Sequence, residues 1–267
     1  MNGRGLMVTG AALIVTLALL ATAAPWVAPY DPQAIDLAAD LEGPGATHWL
    51  GCDELGRDIL SRLIWGARAS LTVGVVSIGV SLILGLLIGG VAGYAGGAID
   101  AVLMRVVDVL LSFPGILLAI AITGVLGPSF FNVILALTVL GWVTFARLVR
   151  GQVLSLKERD FVTAARALGA SPTRVLIRHI LPEVVAPVTV QATFGIAGVI
   201  LAESSLSFLG LGPQDVPTWG AMLSEGVQFL LFAPHLATWP GLAVLVTVLA
   251  FNLLGDGLRD YFDVKGG

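Results

Sequence analysis

Few residues of this 267-residue chain have the type and spacing that enzyme chemistry requires. A phosphate-binding loop needs Gly followed by Lys and Ser or Thr, but Lys157 and Lys265 follow Leu and Val. No serine lies in a nucleophile elbow. The Gly-Asp-Gly at 255–257 has no second aspartate placed comparably in another apolar segment. We therefore expect no catalytic residue in this chain.

Candidate metal ligands are equally sparse. His48, His179 and His235 are widely separated, and we find no Cys or acidic neighbours at ligand spacing. Cys52 is the only cysteine, so an internal disulfide is excluded and an inert free thiol is expected. The sequence thus predicts neither a metal site nor a bound cofactor.

Charge is scarce along the whole chain. Only 12% of the residues are charged and 57% are hydrophobic, with a mean hydropathy of +0.93, whereas soluble domains carry roughly 25% charged residues. The net charge of -4 and the lack of Lys/Arg runs give no indication of nucleic-acid binding. We expect an all-α, polytopic membrane protein whose surroundings are the lipid bilayer.

Six segments reach the length of about 20 mostly apolar residues that a membrane-spanning helix needs. They are 6–24, 70–94, 101–125, 131–149, 186–206 and 238–258. The first could be a signal peptide, but its length favours an uncleaved anchor. Residues 1–267 are therefore predicted to form one transmembrane domain, with a five-span core at 70–258.

The basic residues predict the orientation, because Lys and Arg are retained on the cytoplasmic side. With the N-terminus inside, all but Arg57, Arg62 and Arg68 of the 14 basic residues lie in inside regions. Both termini, including a tail at 259–267, should then be cytoplasmic. The segment 25–69 should be extracytoplasmic and contain an amphipathic helix, in which Asp58 and Arg62 have the spacing of an ion pair.

Small residues recur at intervals of four along the second span. They are Ser77, Ser81, Gly85, Gly89, Gly93 and Gly97. This pattern lets helix backbones approach closely, so we expect a tightly packed neighbouring helix; a sliding or gating role is the less favoured alternative.

Charges also lie near membrane depth between the second and third spans. Arg105 and Asp108 are one helical turn apart, so mutual neutralisation is expected, with a substrate or proton role as the alternative. Pro114 should kink or start the third span.

The longest polar inside segment is 150–185, which we name the docking loop. A helix is expected over Lys157–Leu168, with Gly169 as its stop, Ser171 as the next N-cap and Pro172 at the first position of a second helix. Small alanines flanked by bulky apolar residues indicate a surface that binds a partner.

Within the docking loop the chain resembles the inner-membrane permeases of ATP-binding-cassette importers. Their signature is Glu-Ala-Ala, three residues, Gly, and then Leu-Pro; it is matched here by Thr163, Ala164, Ala165, Gly169, Leu181 and Pro182. Thr163 stands where the family has Glu. The stretches "LGCDELGRDILSRLIWGARASL", "LSFLGLGPQDVPTWGAML" and "NLLGDGLRDYFD" are similar to the dipeptide, oligopeptide and nickel branch, and to the second of its two unlike permeases.

This resemblance implies a permease without catalysis of its own in a bacterial or archaeal inner membrane. Its partners would be a second, unlike permease, two cytoplasmic ATPases and an extracytoplasmic solute-binding protein. The buried contact with an ATPase would come from Phe161, Ala164, Ala165 and Leu168, and its polar rim from Arg166, Arg174 and Arg178. The solute could be a dipeptide, an oligopeptide, a nickel chelate or haem.

Two other functions are open to a polytopic membrane protein of this kind. A secondary transporter acting alone on an ion gradient should have charge networks buried in mid-span and an internal repeat. Neither is visible, since Glu203, Asn252 and Asp256 lie toward span ends. A membrane scaffold is the third possibility, and co-purification with ATPase subunits would distinguish it from an importer.

The predicted topology can be tested with a reporter fusion. Alkaline phosphatase fused after residue 160 should be inactive, because that point lies in the cytoplasm. An active fusion there would overturn the predicted orientation.

Overall fold

A computed structural model describes residues 3–265, so the ends of the predicted domain and tail, residues 1–2 and 266–267, lie outside it. The described residues form helices joined by loops. The helices are α1 (Gly3–Thr22), α2 (Ala24–Val27), a 3-10 turn (Leu37–Ala39), α3 (Ile59–Ala95), α4 (Gly97–Leu111), α5 (Gly115–Leu126), α6 (Phe130–Leu156), α7 (Asp160–Ala167), α8 (Pro172–Val175), a π-turn (Leu176–Ile180), α9 (Leu181–Phe208), α10 (Trp219–Val227) and α11 (His235–Lys265).

Five helical runs are long and apolar enough to cross a membrane: α1, α3, α6, Pro172–Phe208 and α11. The sixth predicted span, 101–125, is not one continuous helix. It corresponds to α4 and α5, which meet at an angle of 83°. Pro114 is the N-cap of α5, and a proline disfavours helical backbone at the residue before it. Residues 3–265 therefore contain five helical runs that could each cross a membrane, and six if the bent pair of α4 and α5 forms one span.

Two long helices end elsewhere than predicted. The amphipathic helix expected within 25–69 is not separate, because it forms the first turns of the 37-residue α3. Asp58 caps α3 by accepting a hydrogen bond from the amide of Ser61 at 2.8 Å. At the other end of the chain, α11 continues through Gly255 and Gly257 to Lys265, past residue 258 where the sixth span was predicted to end. A Cβ on Gly257 would clash with Met7 of α1, which shows how closely α1 and α11 pack.

The bundle is organised around α3, which packs along α6 and α9, while α1 lies along α11 and α10 packs on α9 and α11. One apolar core includes Val73, Phe145 and Val149, and it extends to the docking loop. A second core surrounds the buried Trp219. The indole nitrogen of Trp219 donates to the carbonyl of Leu63 at 3.0 Å.

The small residues of α3 form its contact with α6. Ser77, Ser81, Gly85, Gly89 and Gly93 are buried. A Cβ on Gly85 would overlap Phe145, and a Cβ on Gly89 would overlap the carbonyl of Ala146. Gly97 does not belong to this stripe, because it is the exposed first residue of α4, with φ +57°.

We predict that Gly89→Ala destabilises the protein and that Gly79→Ala does not. Both glycines lie within α3, but nothing lies within 4 Å of a Cβ at position 79. Alanine gains up to about 1 kcal/mol of helix propensity at either site, whereas overpacking at position 89 costs about 1–3 kcal/mol. Thermal unfolding in detergent should show a lower midpoint for Gly89→Ala alone; equal midpoints would contradict the close approach.

Candidate functional site

The docking loop folds as two short helices around a sharp turn. Gly169 has φ +82°, a left-handed conformation that suits glycine. Ser171 accepts a hydrogen bond from the amide of Arg174 at 3.4 Å, and Pro172 occupies the first turn of α8. The helix predicted over Lys157–Leu168 starts later than expected, since α6 ends at Leu156 and α7 starts at Asp160.

The outward face of α7 differs by one residue from the predicted one. Phe161 and Leu168 are 43% and 89% exposed, and Ala164 is exposed on the same face. Ala165 instead points inward and is only 8% exposed. Val162, which the sequence interpretation missed, also points inward and is fully buried. The exposed apolar surface is therefore Phe161, Ala164 and Leu168.

The remaining predicted loop residues lie around this surface. Thr163, Arg166, Gly169, Arg174, Arg178 and Pro182 are exposed, and Leu181 is half-buried. Ile177 on the π-turn is a further exposed apolar side chain, at 56%. Val175 of α8 lies on the opposite, inward side and is fully buried. The loop thus presents apolar side chains and arginines on one surface.

Specific contacts fix the loop to the spans beneath it. The guanidinium of Arg166 lies 5.5 Å from the ring centroid of Tyr94 on α3, a cation–π contact. Lys157 Nζ donates to the carbonyl of Gly93 at 3.2 Å. Val162 and Val175 join the core that contains Val153 of α6. These contacts attach the loop to α3 and α6.

Two ion pairs attach α4 to the same end of α6. Arg150 Nη2 donates to Asp100 Oδ2 at 2.7 Å, and Arg147 Nη2 donates to Asp108 Oδ1 at 2.6 Å. The predicted neutralisation of Asp108 by Arg105 is therefore wrong. Asp108 pairs with a guanidinium on the facing helix α6 and not with its neighbour on α4. Sequence spacing cannot reveal a pair between two helices.

A cleft of about 270 Å³ opens between α5, α6 and α9. Its walls are mostly apolar or glycine, with Ile78, Ile116 and Phe145 among them. Thr144 of α6 and Gln191 of α9 supply the polar side chains, and within residues 3–262 no charged side chain lines the cleft. Such a lining can hydrogen-bond an amide without selecting a charge. The sequence alone did not rank these residues, because the cleft joins three separate helices.

An ion-pair network joins the start of α3 to α10. Arg62 Nη1 lies 2.8 Å from Glu225 Oε2 and also contacts Asp53, which pairs with Arg57 at 2.6 Å. The predicted Asp58–Arg62 pair is thus replaced by partners that lie elsewhere in the fold. Burial raises the pKa of the nearby Glu54 carboxyl above its ordinary value.

A buried carboxyl lies deeper in the bundle. Glu203 of α9 is fully buried and accepts hydrogen bonds from Ser70 at 2.8 Å and Ser207 at 2.7 Å. Because Ser70 is on α3, this group joins α3 to α9. Because both partners are serine hydroxyls, the contact holds α3 against α9 and does not form a chain of charged groups that could carry an ion.

Comparison with known proteins gives this architecture its class. Residues 85–265 match the family model described as binding-protein-dependent transport system inner membrane component. Residues 5–44 match the N-terminal transmembrane domain of oligopeptide transport permease C. The chain belongs to this family of inner-membrane permeases of ATP-binding-cassette importers.

Curated relatives extend the match over nearly the whole chain. The dipeptide transport system permease protein DppC of Alkalihalophilus pseudofirmus is 44% identical over 261 residues, which cover 97% of this chain and 86% of the relative. The glutathione transport system permease protein GsiD of Escherichia coli O6:K15:H31 is 48% identical over 259 residues, 96% of this chain and 86% of the relative. GsiD of Pectobacterium atrosepticum is 47% identical over the same length.

For a permease, the cleft predicts which side chains the solute meets. We expect Gln191→Leu and Thr144→Val each to slow solute uptake several-fold, since one hydrogen bond contributes about 0.5–1.5 kcal/mol. Thr189→Val is the matched control, because the Thr189 hydroxyl donates to the carbonyl of Val185 within its own helix. Uptake rates at equal membrane expression would test this, and unchanged uptake in both cleft variants would contradict it.

Proposed function

We propose that this chain is one of two unlike permeases of an importer for short peptides. Its named relatives are permeases for a dipeptide and for glutathione, and both solutes contain peptide bonds. The uncharged cleft with Thr144 and Gln191 suits solutes that share amide groups and differ in side-chain charge. Longer oligopeptides, nickel chelates and haem remain in the wider class of solutes.

The proposed partners are a second permease, two cytoplasmic ATPases and an extracytoplasmic solute-binding protein. The single observation that carries the coupling role is the exposed apolar surface of Phe161, Ala164 and Leu168 on the docking loop. Exposed apolar side chains on a charged loop favour a protein partner. Arg166, Arg174 and Arg178 would form the rim, where charges add specificity more than affinity.

The proposed mechanism is mechanical. Closure of the ATPase pair would move the docking loop, because the loop is bound to the ATPases. The loop is fixed to α3 and α6 through Arg166, Lys157 and its apolar core contacts. The spans would then move as rigid bodies between inward-open and outward-open states. Both termini and the docking loop lie in the cytoplasm in this proposal.

A secondary transporter acting alone is the less favoured function. Glu203 is fully buried, but it lies near the end of α9 and accepts hydrogen bonds from two serine hydroxyls. Reconstitution into vesicles with the second permease, the ATPases and the binding protein would separate the two functions. Uptake of a labelled dipeptide should require ATP and binding protein; uptake driven by a proton gradient without ATP would refute the importer.

The coupling role predicts the effect of one charge on α7. Leu168→Asp should leave the protein folded and inserted, because this side chain is 89% exposed. It should lower transport-coupled ATP hydrolysis at least about tenfold, since an unpaired charge in an interface core costs about 2 kcal/mol or more.

Leu231→Asp is the matched control for this prediction. Leu231 is 92% exposed and lies between α10 and α11, which follow the other end of α9 from the docking loop. Coupled hydrolysis should be normal in this variant. Equal activity in Leu168→Asp and Leu231→Asp would contradict the proposed docking surface.

A further inference from the structure

Three residues of different ligand type meet in the linking segment, residues 28–58 between α2 and α3. Glu42, His48 and Cys52 each bring one possible ligand atom within 4.8 Å of the others. Carboxylate oxygen, imidazole nitrogen and thiolate sulphur are the atoms by which proteins bind zinc. The sequence interpretation expected no metal site, because it did not anticipate how the backbone turns between these positions.

Backbone hydrogen bonds hold the three residues together independently of their side chains. The amide of Cys52 donates to the carbonyl of Glu42 at 2.8 Å, and the amide of Gly51 donates to the carbonyl of His48 at 3.0 Å. Gly51 has φ +86°, and a Cβ there would collide with the Glu42 carbonyl and the His235 ring. The chain therefore turns tightly at Gly51 and brings the side chains together before any ligand binds.

The ring of His48 is held in place by a carboxylate and an aromatic ring. His48 Nδ1 lies 2.9 Å from Asp58 Oδ1, and the ring stacks on Tyr30 with centroids 4.7 Å apart. Asp58 is itself fixed, because it is buried and caps α3. When Nδ1 donates to a carboxylate, Nε2 keeps its lone pair, and this arrangement recurs behind metal-bound histidines.

The surroundings of Cys52 are negative as well as buried. Burial, together with the acidic side chains of Asp58, Glu42, Asp53 and Asp36, raises the pKa of the Cys52 thiol to about 12. A divalent cation bound to the sulphur would displace its proton and would be attracted by these acidic groups.

A second cluster, of three acidic residues, shows how the Glu42–His48–Cys52 cluster differs from an ordinary ion-pair network. Asp53, Glu54 and Glu225 also lie within 4.8 Å of one another, but Arg57 contacts all three. Its charge already balances them. Glu42, His48 and Cys52 have no arginine or lysine partner among the ion pairs of residues 3–265.

The geometry points to a transition-metal site formed by Glu42, His48 and Cys52, with zinc as the metal that this ligand set fits best. Three protein ligands leave a fourth position for water. The bound ion would fasten the linking segment to the start of α3, since Cys52 is bridged to Asp58 by backbone pairing.

Cobalt titration of the purified full-length chain in detergent tests this site. Co²⁺ substitutes for zinc, and coordination by a thiolate gives an intense near-ultraviolet charge-transfer band. We expect one Co²⁺ per chain with this band, displaced by zinc. Cys52→Ser should abolish the band, and because Cys52 is the only cysteine, no other thiolate of the chain can produce it.

One glutamate variant and one aspartate variant distinguish direct metal binding from a general effect of negative charge. Glu42→Gln should weaken cobalt binding about tenfold or more, whereas Asp40→Asn, an exposed neighbour outside the cluster, should not change it. Zinc should also raise the thermal midpoint of the wild-type chain but not of Cys52→Ser. A wild-type chain without the thiolate band, or equal affinity in Glu42→Gln and wild type, would overturn the proposed site.

Discussion

Contact between the backbones of α3 and α6 is the constraint on which the rest of the bundle depends. In lipid, helices gain no hydrophobic free energy by associating, so close van der Waals packing must hold them. Gly85 and Gly89 make this possible, because α6 occupies the space that a side chain would need. The cleft, the docking loop and the α4 ion pairs all include residues of α6, so their positions follow from this contact.

Local physical chemistry explains which features the sequence could predict. The turn at Gly169 and the cap at Ser171 depend on a few adjacent residues, and both are found where expected. The small residues of α3 likewise follow from a pattern within one helix. The docking role of the loop stays a prediction, since burial and exposure describe a surface and do not identify what binds to it.

Features that depend on distant residues were missed. Asp108 and Arg62 find their partners on α6 and α10, so the rule for neighbouring side chains on one helix chose the wrong pairs. The inward turn of Ala165 has a different cause. Periodicity identifies which residues share a face, but the break between α6 and α7 changes where that face points. The Glu42–His48–Cys52 cluster similarly required knowledge of the backbone turn at Gly51.

The length of α3 has a mechanical consequence. Its 37 residues make a rod of about 55 Å at 1.5 Å per residue, nearly twice the roughly 30 Å of the hydrocarbon layer. Tyr94 near one end contacts the docking loop, and Arg62 near the other contacts Glu225 of α10. Because one continuous helix joins these two ends, a tilt imposed at the Tyr94 end would also move the Arg62 end. The helix can act as a lever that carries a signal across the membrane without any change in its own internal structure.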